Sequence, residues 1–215
     1  MHTILEQLVL DDVELKELRV SGRFDDLPVD PYTTGGFRSR RFARVRLDAG
    51  GAVDGALVRT PDQAFSQGTD VNHYLGGVVR EYAPVHAEFL TAPIVTAICR
   101  LLADRAELPD GTFGIHQIRI SCSPDLVGSP APEGIHRDGV RCVFICCVER
   151  ADVTGARTQL YELAAGLEDA SAFFDEVLAE GACLLVNDER LAHYTSPISP
   201  IGDRGHRDAL VVTIE

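Results

Sequence analysis

The stretch Pro132-Glu133-Gly134-Ile135-His136-Arg137-Asp138-Gly139 contains a His-x-Asp pattern. Residues two apart in an extended strand point to the same side, so His136 and Asp138 would converge while Arg137 faces away. An imidazole and a carboxylate, joined by a second imidazole from elsewhere in the chain, form a 2-His-1-carboxylate triad that holds Fe(II) and leaves coordination positions open. A bare His-x-Asp is more often part of a surface turn, so this interpretation depends on the residues around it.

The surroundings of the pattern favour a buried site. Residues 143–148, with the sequence Val-Phe-Ile-Cys-Cys-Val, are apolar on both faces, which is typical of a buried strand. Gly134 and Gly139 bracket the pattern and indicate bends beside it. We therefore predict a metal centre next to a strand of the core.

Length and charge limit the class of protein. The chain has 215 residues, which fits one domain over 1–215, with a supporting region at about 1–110 and a metal-binding core at about 111–215. Lys and Arg number 20 and Asp and Glu 33, for a formal net charge of −13. Because an acidic chain repels phosphate backbones and anionic lipids, we expect neither nucleic acid nor a membrane as a partner.

The sequence also indicates a compartment. It has no apolar run long enough to span a membrane and no secretory signal pattern at its start, so we expect a cytoplasmic protein. The cysteines have no C-x-x-C spacing, which disfavours a zinc site, and several lie in apolar runs as reduced, buried thiols would. They are Cys99, Cys122, Cys142, Cys146, Cys147 and Cys183.

Periodicity predicts many short strands and few helices. Apolar residues recur at helical spacing in part of 4–19, in 85–106 (divided at Pro93) and in 168–179, where Gly181 would end the helix. Strands are predicted at about 38–47, 113–120, 140–148, 157–162, 183–186 and 208–214. This content is typical of a barrel or sandwich.

The first of these strands carries a basic cluster. Five arginines alternate with apolar residues there, which predicts one solvated face. Two interpretations remain open, a charged edge that deters strand pairing and a contact with an anion. The arginines are Arg38, Arg40, Arg41, Arg44 and Arg46.

The chain has seven histidines, and the six other than His136 compete to be the third metal ligand. His193 follows a predicted buried strand and a turn, a position that suits a ligand at the mouth of a barrel. His116 lies on an earlier strand and could be a core residue, and His206 adjoins a positive neighbour. We predict His193 as the ligand, with His206 and His116 as the alternatives.

Arg207 stands fourteen residues after His193 and opens the last strand. A guanidinium can hold a carboxylate through two parallel hydrogen bonds. This is what 2-oxoglutarate would need at its far carboxylate while its 1-carboxylate and keto group bind iron. The alternative is a surface salt bridge to Asp203 or Asp208.

These pieces together resemble the bacterial 2-oxoglutarate/Fe(II) dioxygenases of the isoleucine hydroxylase type, a group that includes enzymes acting on free amino acids. The resemblance spans about residues 32–215. It is carried by 132–139, by Leu185-Val186-Asn187-Asp188-Glu189-Arg190-Leu191-Ala192-His193, by Gly205-His206-Arg207-Asp208-Ala209-Leu210-Val211-Val212, and by the earlier pieces 35–41, Gln67, Asn72, 76–80 and 116–119.

The resemblance implies a mainly β fold with flanking helices, a double-stranded β-helix of the jelly-roll, cupin-like kind. It implies Fe(II) on His136, Asp138 and His193, 2-oxoglutarate on Arg207, and a hydroxyl donor before the metal motif, for which Ser129 is nearest. The cofactors would be Fe(II), 2-oxoglutarate and O2, with ascorbate helpful in assays.

The implied reaction is hydroxylation of an unactivated C–H bond in a small substrate, most simply a free amino acid or a derivative. The chain departs from the family pattern at Arg157, so the family's substrate preference does not transfer directly. Arg119 and Arg157 are candidate cations for a substrate carboxylate. Two alternatives stay open, a metal-dependent cupin-like enzyme without a cosubstrate and a non-catalytic β-barrel that binds a small molecule. Halogenation is disfavoured because Asp138 occupies the halide position.

Overall fold

The computed structural model describes residues 5–48, 56–165 and 171–215. Its helices are α1 (Asp12–Gly22), α2 (Ala87–Leu90) and α3 (Pro93–Ala106). Its strands are β1 (Leu5–Val9), β2 (Arg38–Leu47), β3 (Leu57–Arg59), β4 (Thr112–Cys122), β5 (Cys142–Ala151), β6 (Val153–Gly155), β7 (Arg157–Glu162), β8 (Phe174–Val177), β9 (Ala182–Asn187), β10 (Leu191–Thr195), β11 (Ile198–Pro200) and β12 (Gly205–Ile214). The predicted mainly β fold with few helices is confirmed.

The strands form one large and two small antiparallel sheets. The large sheet has the order β1-β9-β5-β12-β4-β2-β3, and the small ones have the orders β10-β7-β8 and β11-β6. Strands β1 to β5 lie in the large sheet and β6 to β8 in the small ones. The chain then returns to the large sheet at β9, passes through β10 and β11 of the small sheets, and ends in the large sheet at β12, in the two-layered arrangement of a jelly roll. None of the helices in the described ranges is long and apolar enough to cross a membrane.

The core lies on both sides of the large sheet. On one side, Leu18 of α1 and Leu102 of α3 pack with Phe144 of β5 in a single buried cluster. On the other side, Ile145 of β5 packs in a second cluster that includes Leu160 of the small sheet. Successive residues of β5 therefore fill opposite layers, which explains why 143–148 is apolar throughout. The six cysteines lie in the described ranges, are buried and form no disulfide.

The helical regions are partly as predicted. Helix α3 begins with Pro93 at its first turn, where a missing N–H costs nothing, and the 85–106 segment divides there as expected. In the N-terminal segment the helix starts only at Asp12, after a capping box formed by Asp11 and Glu14. The residues before it form β1, because they complete the edge of the large sheet beside β9.

The helix predicted over 168–179 is wrong where the structure describes it, and 166–170 lie outside the described residues. Phe174–Val177 forms strand β8, which pairs with β7. Only Phe174 of this strand is buried, so its apolar spacing reflects one anchor on an edge strand and no helical face. Pairing with a neighbouring strand overrides local propensity here.

The basic strand β2 is also partly different from its prediction. Arg38 and Arg40 are buried, and only the far end of that face, at Arg46, is exposed. Strand β2 pairs with β4 along Arg38–Arg46. The face predicted to be solvated therefore begins inside the molecule, where it lines a cavity together with β4 and β12.

Candidate metal centre

The structure brings His136, Asp138 and His193 together in the wall of this cavity. Their ligand-type atoms lie within 4.8 Å of one another. His193 Nε2 is 3.6 Å from Asp138 Oδ2, and the two imidazole centroids are 4.4 Å apart. The three side chains that the sequence analysis named therefore lie together in the structure.

The backbone holds the two histidines side by side. The His136 N–H donates to the His193 carbonyl at 3.0 Å, and the His193 N–H donates to the His136 carbonyl at 2.8 Å. This is an isolated bridge and not the longer strand that the pattern suggested. It joins the segment before β5 to β10, so that both imidazoles leave the bridge toward the cavity.

A hydrogen bond at His136 and burial at His193 favour the neutral imidazoles that bind a metal ion. The His136 Nδ1–H donates to the Gly134 carbonyl at 2.9 Å, which leaves Nε2 as the free lone pair, 3.4 Å from Glu133 Oε1. Burial, and after it the nearby His136, lower the pKa of His193 to about 4, against the opposing charges of Asp188 and Glu133. A neutral imidazole is the form that binds a metal ion.

The carboxylate of the triad is in an unfavourable place unless a cation binds beside it. Burial raises the pKa of Asp138, and the charge of Glu133 raises it as well, while His136 opposes the change. A buried carboxylate is stabilised by coordination to a metal ion. Two imidazoles and one carboxylate with their lone pairs converging therefore fit a divalent metal of the Fe(II) type.

A second carboxylate, Asp188, organises this centre and was predicted only as part of a turn. It is 0% exposed and accepts hydrogen bonds from the N–H groups of Asp138 at 3.0 Å, Gly139 at 2.7 Å and Val140 at 3.0 Å. Its Oδ1 also lies 3.9 Å from His193 Nδ1. Asp188 thus fixes the backbone that carries one ligand and faces the ring of another, a supporting role common around metal sites.

A buried amide network orients Asp138 from the other side. Gln67 Nε2 donates to Asp138 Oδ1 at 3.0 Å. The Gln67 Oε1 in turn accepts from Asn72 Nδ2 at 3.0 Å and from Arg80 Nη2 at 2.9 Å. Gln67 and Asn72 belong to the resemblance, but nothing local in the sequence connects them to a residue about seventy positions later.

Arg207 lies in the same cavity and is available to an anion. The odd-numbered residues of β12 face inward, so Arg207 shares a wall with Ala209 and Val211. It makes no ion pair with a described residue, and its Nε and Nη2 are buried without a hydrogen-bond partner there. Unpaired buried N–H groups are costly, and a carboxylate ligand would satisfy both. The buried N–H groups of Arg207 therefore fit the distal carboxylate of 2-oxoglutarate.

The alternative of a surface salt bridge for Arg207 does not hold. Asp208 faces the other way on β12 and accepts from Arg119 at 2.6 and 2.7 Å. Ser129 is half-buried and is not among the lining residues of this cavity, and its role as a hydroxyl donor stays a prediction. Thr195 and Thr213 do bring hydroxyls to the cavity wall.

The other two histidines are placed differently. His116 lines the cavity but packs on the ring of Phe42, with centroids 4.6 Å apart, and accepts from Arg40 at Nδ1. His206 lies outside the cavity wall, 3.2 Å from Glu149, in a second group of ligand-type residues with Asp208. His193 is the histidine that joins the His-x-Asp pair.

The two arginines suggested for a substrate carboxylate are not brought to this site. Arg119 is held by Asp208 and Asp25 on the outer side of the sheet. Arg157 pairs with Asp175 at 2.8 Å, and its side chain is 51% exposed. Neither lines the cavity.

Comparison with known proteins supports a centre that binds Fe(II) and 2-oxoglutarate. A family model described as 2OG-Fe dioxygenase matches residues 21–213. A bsmA homologue from Methylobium petroleophilum PM1 is similar in structure, with 26% identity, a TM-score of 0.76 and coverage of 94% of this chain and 81% of that chain. No curated protein sequence matches the chain.

Two further solved structures share the fold at lower identity. IDO from Bacillus thuringiensis has 16% identity and a TM-score of 0.76 over 98% of this chain and 93% of its own. The Fe(II)/(alpha)ketoglutarate-dependent dioxygenase TqaL has 17% identity and a TM-score of 0.66 over 95% of this chain and 75% of its own. With the family match across most of its length, the chain belongs to the 2OG-Fe dioxygenase family, which uses Fe(II), 2-oxoglutarate and O2.

Proposed function

We propose that this dioxygenase hydroxylates an unactivated C–H bond of a free amino acid or a close derivative, with release of succinate and CO2. The observation that carries the proposal is the union, in one cavity, of the ligand trio and an unpaired buried guanidinium. A cosubstrate-free cupin-like enzyme or a non-catalytic barrel would not need a buried arginine without an ion pair beside the three metal ligands.

In this proposal His136, Asp138 and His193 hold the iron from one side and leave its other positions open to ligands. Iron bound there with 2-oxoglutarate and O2 supplies the oxidising power that breaks the C–H bond. Arg207 binds the distal carboxylate of 2-oxoglutarate through its free N–H groups. Ile118, Ile145 and Val211 of the cavity wall exclude water from the reacting centre.

We further propose that residues 1–215 act as one domain in the cytoplasm on a small-molecule substrate. The six buried cysteines without a disulfide support a reducing compartment. The net charge of −13 supports the expectation that nucleic acid is not a partner.

The test is a succinate-release assay with Fe(II), ascorbate and 2-oxoglutarate over a panel of free amino acids, followed by mass spectrometry for a product that has gained one oxygen atom. Asp138→Ala should abolish turnover, and Arg157→Met, a surface arginine, should retain it. Turnover confined to amino acids within peptides or tethered to a carrier protein would contradict the free amino acid and leave the dioxygenase reaction in place.

A further inference from the structure

Two more guanidiniums, those of Arg40 and Arg80, are buried beside the metal centre. Arg40 is 8% exposed and Arg80 2% exposed. Both lie over the ring of Phe65, with guanidinium carbons 5.2 and 4.5 Å from its centroid, and Arg40 also lies 4.5 Å from the centroid of Tyr82. The aromatic rings fix the two charges at one wall of the cavity.

Neither charge is neutralised by the protein within residues 5–48, 56–165 and 171–215. Arg40 donates to His116, and Arg80 donates to Gln67, both neutral partners. The Nε atom of each arginine is buried without a hydrogen-bond partner in those ranges. Arg38, two residues from Arg40 on the same strand, is different, because it forms an ion pair with Asp30 at 2.6 Å.

A buried charge without an ionic partner loses its hydration and gains little in return, so the presence of two such charges in one cavity indicates a ligand. Burial lowers the pKa of Arg40 to about 10, which still leaves it cationic at neutral pH. The cavity's own carboxylates do not pair with it. Asp138 belongs to the metal centre, and Glu133 lies 3.4 Å from the His136 Nε2 that would bind the metal.

The Arg40 position is separate from that of Arg207. Arg40 is opposite Ile118 on β4, and Ile118 is opposite Ala209 on β12. The two arginines are therefore on strands with β4 between them, roughly 10 Å apart at the backbone. The two arginines enter the cavity from different strands, and on this basis we treat them as two anion positions.

We propose that Arg40 and Arg80 form a second anion site that binds the carboxylate of the primary substrate. The proposal rests on the proposed function and makes it more specific, since it requires the substrate to carry a carboxylate while 2-oxoglutarate stays on Arg207. Arg40 and Arg80 line the same cavity as the three metal ligands, so the bound carboxylate would lie close to them.

The test uses the protein loaded with Mn(II) in place of Fe(II), so that no turnover occurs, together with saturating 2-oxoglutarate. Free amino acids and their matched primary amides are added one by one, with binding followed by thermal melting and then calorimetry. We expect at least one amino acid to bind while its amide does not. Arg40→Met should weaken the binding of that amino acid by on the order of 30-fold or more. Its affinity for 2-oxoglutarate should stay within about twofold of the wild-type value.

Three variants complete the design. Arg40→Lys retains a charge and should recover part of the affinity, and it keeps the test valid if Arg40→Met folds poorly by circular dichroism. Arg207→Met should weaken 2-oxoglutarate instead. Arg157→Met is the control for removing an arginine that lies outside the cavity. Arg80→Met is less informative, because Arg80 also supports Gln67.

The proposal is overturned if amides bind as well as acids, if Arg40→Met weakens 2-oxoglutarate and not the amino acid, or if no carboxylate binds to the loaded protein. Failure of the wild type to bind 2-oxoglutarate at all is a different result. It would reject the proposed function and this proposal together.

Discussion

Gln67 Nε2 donates to Asp138 Oδ1 at 3.0 Å, so one oxygen of the carboxylate is fixed while the other, Oδ2, faces His193 at 3.6 Å. The amide therefore decides which oxygen is presented to the metal. Its own carbonyl is held by two buried donors, so it cannot turn over and offer the wrong group.

Gln67→Leu should accordingly lower metal affinity about 10- to 100-fold, because the carboxylate loses the partner that orients it. Calorimetric titration of Mn(II) into the metal-free variant measures this. Gln7→Leu, on the exposed part of β1, is the matched control and should bind as the wild type does. Unchanged affinity in Gln67→Leu would mean that the network is only structural.

Asp188→Asn should destabilise the metal-free protein by roughly 2–4 kcal/mol, because an amide cannot accept three backbone hydrogen bonds as a carboxylate does. Urea denaturation of the metal-free protein gives the free energy of unfolding. Asp203→Asn, at an exposed turn, is the control. Equal midpoints for wild type and Asp188→Asn would contradict the role of Asp188 in fixing the backbone of Asp138, Gly139 and Val140.

The pH dependence of stability should include a contribution from His193. Its pKa is lowered by burial to about 4 in the folded protein, against an ordinary value of 6.5. Between these values the unfolded chain binds more protons than the folded one, so this contribution is complete above the ordinary value and is lost as pH falls toward about 4.

His193→Gln should therefore reduce the slope of stability against pH in that window, measured by denaturation of the metal-free protein at several pH values. Comparing the variant with wild type cancels most of the opposite slope from Asp138 and Asp188, whose pKa values burial raises. His73→Gln, an exposed histidine, should leave the profile unchanged. Parallel profiles for wild type and His193→Gln would show that His193 titrates normally.

Arg207→Met should raise the apparent Michaelis constant for 2-oxoglutarate by about 30- to 3000-fold, since a buried charge-assisted contact is worth roughly 2–5 kcal/mol. The constant for the primary substrate should change far less. Succinate formation at varied 2-oxoglutarate measures both, and Arg207→Lys should recover part of the loss. An unchanged constant for 2-oxoglutarate would favour the cosubstrate-free alternative.

Much of the site was readable in the sequence because its parts are local patterns. Each candidate residue was identified from nearby sequence alone. The signals were the His-x-Asp spacing, the strand and turn before His193, and the position of Arg207 at the start of the last strand. The strand content was likewise visible from alternating apolar residues. The structure adds that these pieces meet in one cavity.

What the sequence could not supply depends on contacts between distant segments. Asp188 accepts hydrogen bonds from N–H groups that lie 48 to 50 residues earlier in the chain. A turn predicted from local sequence therefore gives no indication of this role. The alternation in β2 identified a strand, but the packing of the other layer decided that Arg40 faces inward. The error over 168–179 has the same origin, because an edge strand with one buried anchor resembles a short amphipathic helix.

The paired hydrogen bonds between the His136 and His193 backbones separate the spacing of the two segments from the chemistry of their side chains. Because these bonds use only backbone N–H and carbonyl groups, replacing either imidazole should remove a ligand while the two segments stay joined.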